Sequence, residues 1–94
     1  MKSDKQLVEA YAKVKGYDVK VEHTSSRFFV ERNLAWSVGV YCANANRSFT
    51  QIAYWQASTE CKAYAGVLDI IVEKFFHGSI EAFNVWLDLN CPEN

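Results

Sequence analysis

The hydrophobic period of this chain changes twice, from helical to strand-like and back, and that limits its fold more than any single residue does. Leu7, Ala10, Tyr11 and Val14 recur at helical spacing, Ser3-Asp4-Lys5-Gln6 before them has the S-x-x-Q form of a capping box, and Gly16 supplies a stop. The spacing predicts a helix over roughly residues 4–15. From Tyr17 the period becomes two: Tyr17, Val19, Val21 and His23 alternate with Asp18, Lys20 and Glu22. Thr24-Ser25-Ser26 then reads as a hairpin turn.

A second β-rich run begins at Arg27-Phe28-Phe29-Val30-Glu31-Arg32 and continues with Leu34, Trp36, Val38, Val40 and Cys42 alternating with Ala35, Ser37, Gly39 and Tyr41. It reads as one long bent strand or as two broken at Asn33. Asn44-Ala45-Asn46-Arg47 is a turn by composition, and a further strand runs from Ser48 to Trp55. Its two sides, Phe49, Gln51, Ala53, Trp55 and Thr50, Ile52, Tyr54, both carry large apolar groups.

Helical spacing then returns. Ser58 is placed as an N-cap, Glu60 suits the first turn, and Lys74 and His77 suit the last before Gly78. The apolar stripe is Cys61, Tyr64, Leu68, Ile71 and Phe75, widened by Ala65, Val67, Val72 and Phe76. Gly66 in mid-helix costs about 1 kcal/mol relative to Ala, which implies a close approach of the helix to the sheet. Ser79 caps a last helix, with Ile80, Phe83, Trp86 or Leu87, and Leu89 or Asn90 in period before Cys91-Pro92. The expected fold is a single α+β domain over 1–94: an antiparallel sheet of three to four strands with helices packed on one face, in the order α-β-β-β-α-α.

Composition narrows the function. Ten Lys and Arg balance 11 Asp and Glu for a net charge of -1, so no global field draws the chain to nucleic acid or anionic lipid. The N-terminal residues lack an apolar signal core and no stretch approaches the ~18 apolar residues of a membrane span. Three widely spaced cysteines, Cys42, Cys61 and Cys91, are not a disulfide framework. A cytoplasmic protein with reduced thiols is expected, with Cys42 and Cys61 as small core residues.

No spaced pair of His23, His77 and the cysteines matches a metal site, no cysteine and histidine are arranged as a nucleophile and base, and the carboxylates are scattered. There is no phosphate-binding glycine loop either, so neither a catalytic activity nor a cofactor is expected. What does gather is a basic and aromatic set: Arg27, Arg32 and Arg47 with Lys20, Phe28, Phe29 and Tyr41. Such mixtures read RNA and single strands, and they also anchor protein contacts.

The order helix, three strands, helix resembles double-stranded-RNA-binding domains, and Ala57-Ser58-Thr59-Glu60-Cys61-Lys62-Ala63 stands where those domains begin their last helix, with Thr59 and Glu60 at positions of phosphate-binding lysines. Size, element order and the lack of catalytic motifs also resemble small phage-encoded inhibitors of bacterial defence, of the anti-CRISPR type. That resemblance implies occlusion of a protein partner rather than mimicry of DNA, because the chain is not strongly acidic.

The reading reached is a non-enzymatic protein-binding module, a phage or mobile-element inhibitor of a host defence protein, with a nucleic-acid-binding domain as the alternative. The expected contacts are Arg27, Phe29, Arg32, Tyr41 and Arg47, around the small side chains of Ala35, Ser37 and Gly39 on the sheet face opposite the helices. A second copy of the chain competes as occupant of that face, which would make a homodimer.

Overall fold

The computed structural model describes residues 2–44, 46 and 48–91. Helix α1 (Asp4–Lys15) starts as the capping box dictates: Ser3 Oγ accepts from the Gln6 N–H at 3.3 Å, and Gln6 Oε1 accepts from the Ser3 N–H at 2.9 Å. It stops at Gly16, whose φ of 74° carries the chain through the left-handed region into the first strand.

Strands β1 (Asp18–His23), β2 (Trp36–Ala43) and β3 (Phe49–Ala57) form an antiparallel sheet in the order β1-β2-β3. Val19 and Val21 stand opposite Val40 and Val38, which in turn face Ala53 and Trp55 across the other ladder. These side chains point toward the helices. Val38, Val40 and Ala53 are buried there with Val8, Tyr11 and Ala12 of α1 and with Ala63, Tyr64, Val67, Leu68, Ile71 and Val72 of α3 (Glu60–Phe75). The core therefore lies between the sheet and the α1/α3 layer, and the α+β fold class and helices-on-one-face arrangement read from the sequence are what the chain adopts.

Helix α4 (Ile80–Asn90) is capped by Ser79, whose Oγ accepts from the Ala82 N–H at 3.1 Å. It packs through aromatic contacts: the buried Tyr11 ring lies 5.9 Å from Phe83, 5.4 Å from Trp86 and 6.2 Å from Phe76, centroid to centroid. Burial, with a smaller contribution from Tyr17, pushes the Tyr11 phenol up to about 12. No helix among the described residues is long and apolar enough to cross a membrane.

Four local expectations are corrected. The run Arg27–Glu31 is a short helix, α2, not a strand. Phe29 and Val30 both donate to the Ser26 carbonyl, at 3.1 and 3.0 Å, and Asn33 at φ 59° turns the chain back into β2. The β propensity of Phe28-Phe29-Val30 expresses fit to a sheet surface, and among the described residues no strand pairs with this segment. It follows that Thr24-Ser25-Ser26 is no hairpin turn, because α2 lies in the link between β1 and β2. The N-cap of α3 is Thr59 rather than Ser58: its Oγ1 accepts from the Lys62 N–H at 3.1 Å. Finally, the stripe of α3 is buried at Tyr64, Val67, Leu68, Ile71 and Val72 as expected but not at its two ends, where Cys61 is exposed instead of filling the core and Phe75 is 45% exposed. Ala45 and Arg47 of the expected turn, and Pro92 after α4, lie outside the described residues.

Beyond Val40 the β2–β3 register slips. Val40 pairs with Ala53 but Tyr41 pairs with Gln51, leaving Ile52 as a bulge residue. Its carbonyl is satisfied by Lys74 Nζ from α3 at 3.1 Å. The bulge also explains why β3 is apolar on both sides. Ala53 and Trp55 face the helices, whereas Phe49 and Gln51, of the same parity, stand opposite Ala43 and Tyr41 on the uncovered face.

Candidate functional site

The face of the sheet turned away from the helices carries Lys20 and Glu22 from β1, Ser37, Gly39 and Tyr41 from β2, and Gln51, Phe49, Tyr54 and Gln56 from β3. Strand alternation places them there, and the bulge adds Phe49 and Gln51.

At one end stands a cation between two rings. Lys20 Nζ lies 5.6 Å from the Tyr41 centroid and 5.2 Å from that of Phe49, within cation–π range of both. Tyr41 also folds back along its strand. A Cβ built on Gly39 would meet Tyr41 Cε2 and Oη at 2.5 Å, so the ring occupies the space that glycine leaves, and Gly39 is buried beneath it. Burial, then Tyr54 and Glu22, raises the Tyr41 phenol above its usual range, so its hydroxyl stays protonated and can donate as well as accept. Phe49 remains 52% exposed.

The other end of the face lies about 13 Å away along β2, four residues at ~3.3 Å each. There Phe29 and Leu34 meet Glu22, Ser37, Tyr54 and Gln56 around a cleft of about 220 Å³. Helix α2 borders it. Phe28, 55% exposed, packs edge-on against Phe29 at 5.1 Å. Arg32 lies 3.9 Å from the Phe28 ring and donates to the Phe28 carbonyl at 3.3 Å, while Arg27 Nε donates to Glu31 Oε1 at 2.9 Å.

Of the five residues expected from the sequence, Phe29 and Tyr41 border the uncovered face at opposite ends, Arg27 begins α2 and Arg32 caps it, and Arg47 lies outside the described residues. They are two groups and not one cluster. Phe49, Tyr54 and Gln56 were not among the expected contacts. The alternation of Tyr54 and Gln56 with Trp55 is a usable signal for two of them. Phe49 has none, since its parity places it with Ala53 until the bulge is known.

Among the described residues no three His, Cys, Asp or Glu side chains converge as a metal site. His23 instead lies tilted against the Trp36 ring at 4.4 Å. What the face offers is aromatic surface, amide and hydroxyl hydrogen bonding and one clasped ammonium group, which is the chemistry of recognition. Comparison with protein-family models, with curated proteins and with solved structures gives no match.

Proposed function

We propose that the chain is a non-enzymatic module that binds another protein through its uncovered sheet face and the adjoining helix α2. The observation that carries this reading is the Lys20–Tyr41–Phe49 cluster: two aromatic rings held by a lysine, with Phe49 half exposed, on the sheet face opposite α1 and α3. Preset aromatic anchors bind with little loss of side-chain freedom, and neutral neighbours such as Ser37, Gln51 and Gln56 cost less to desolvate than charged ones and can hydrogen-bond a partner. The resemblance in size and element order to phage-encoded inhibitors makes a bacterial defence protein the partner class and occlusion the mode of action.

The cations favour this reading over nucleic-acid binding. Arg27 pairs with Glu31 at the surface, Arg32 lies against the Phe28 ring, Lys20 stands between two rings beside Glu22, and Glu60 at the start of α3 is ion-paired with Lys5 at 3.3 Å. A phosphate track needs a row of uncommitted cations. The test is capture from a bacterial lysate by immobilised wild-type chain and by the Tyr41→Ala/Phe49→Ala double variant, with and without nuclease. A stoichiometric protein partner that resists nuclease and is lost from the variant supports the proposal. Retention of nucleic acid, falling steeply with salt, would establish the alternative. Sedimentation of the purified chain tests self-association through the same face.

A further inference from the structure

A second surface, separate from the uncovered sheet face, lies along the free edge of β3. The two edges of the sheet differ in kind. β1 carries Asp18, Lys20, Glu22 and His23, charges of the sort that discourage strand addition, whereas Phe49–Ala57 contains no charged residue and no proline. In the order β1-β2-β3 one side of β3 has no ladder partner among the described residues, so a row of its backbone N–H and C=O groups faces outward.

Helix α3 packs on β3 and borders a groove beside it. Gly66, Asp69, Ile70 and Glu73, spaced i, i+3, i+4 and i+7, form one stripe of the helix, and with Trp55 they line a groove of about 680 Å³. Trp55 seats its indole on Gly66 and remains 48% exposed, giving an apolar floor with Ile70. Asp69 and Glu73 are exposed and form no ion pair with any described residue. Lys74, bonded to the Ile52 carbonyl, closes the end of the groove at the bulge.

We propose that this groove binds an extended segment of a partner protein as a fourth strand beside Ala53–Ala57, with aliphatic side chains on Trp55 and Ile70 and lysine or arginine facing Asp69 and Glu73. Only an extended backbone supplies donors and acceptors in the alternation the edge presents. The charges disfavour a second copy: Phe49–Ala57 has no cation to set opposite Asp69 and Glu73, and Lys74, which lines the groove, is already bonded to the Ile52 carbonyl.

The test uses a fluorescently labelled, end-capped peptide in which valine and lysine take turns at every second position with threonine between them, so that valine and lysine share the side facing α3, followed by anisotropy with the whole chain. Two further peptides carry backbone N-methyl groups on either the threonines or the valines and lysines. Saturable binding is expected, with one methylated peptide inactive and the other active, because only one alternate set of amides faces the edge. Asp69→Lys/Glu73→Lys should weaken binding roughly tenfold or more, whereas Glu81→Lys/Asp88→Lys on α4 should not; circular dichroism confirms that each variant is folded. Equal binding of both methylated peptides, indifference to charge reversal at 69 and 73, or a wild-type dimer through β3 that rejects the peptide would each overturn the assignment.

Discussion

Replacing Gly66 by alanine sets two effects of known size against each other. In a solvent-facing helix the change stabilises by about 1 kcal/mol. Here a Cβ at position 66 would overlap Cγ and Cδ1 of Trp55, the root of the indole and not its mobile end, so the ring has to leave its seat. Trp55 is 48% exposed, so roughly 100 Å² of its surface is at stake, or about 2.5 kcal/mol at ~25 cal/mol per Å². The net expectation is destabilisation by about 1.5 kcal/mol. In a Trp55→Ala background the obstacle is gone, and the same substitution should stabilise by about 1 kcal/mol. Urea unfolding of the four proteins followed by circular dichroism gives the cycle, with an expected coupling of about 2.5 kcal/mol. Gly66→Ala that stabilises the wild-type chain, or that has the same effect in both backgrounds, would refute the seating of Trp55 on α3.

Three further outcomes follow from the packing and capping. Ile71→Ala and Leu68→Ala, both in the buried stripe of α3, should each lower the unfolding free energy by ~2 to 5 kcal/mol, read from denaturant midpoints. Thr59→Ala should cost about 1 kcal/mol through loss of its bond to the Lys62 N–H, while Ser58→Ala should leave the midpoint close to wild type. Tyr11 has its phenol raised from 10.0 to about 12, so its ionisation is harder in the folded chain than in the unfolded one. Its contribution is complete below about pH 10 and is lost as the pH climbs toward 12; Tyr11→Phe should flatten the fall in urea midpoint over that window, leaving the smaller slopes of Tyr41 and Tyr64, whose phenols burial also raises.

Where local chemistry and periodicity agree, the sequence was legible. The Ser3–Gln6 box, the alternation from Trp36 to Cys42 and the Ser79 cap lead to α1, β2 and α4 without help from the rest of the chain. Helix α2 was hidden because Phe28-Phe29-Val30 favours strand and only the lack of a pairing strand among the described residues decides otherwise. The bulge at Ile52 was hidden for a related reason: it is a property of two strands in register and is held by Lys74, 22 residues away. That slip brings Phe49 to Tyr41 and Lys20, so the fold could be read in outline while the candidate surface could be read only in part. Gly66 is the intermediate case. Its position demanded a close approach, and only the structure shows that a tryptophan side chain makes it.

The most direct test of binding through the uncovered sheet face is hydroxyl-radical footprinting of the chain alone and in complex with its captured partner. Phe49 and Phe28 are exposed, and so are Val85 and Leu89 on the far helix α4, which makes all four reporters in one experiment. Partner binding should suppress oxidation of Tyr41, Phe49 and Phe28 and leave Val85 and Leu89 unchanged. Protection confined to Val85 and Leu89, with Tyr41 and Phe49 oxidised as in the free chain, would contradict it and move the binding surface to α4.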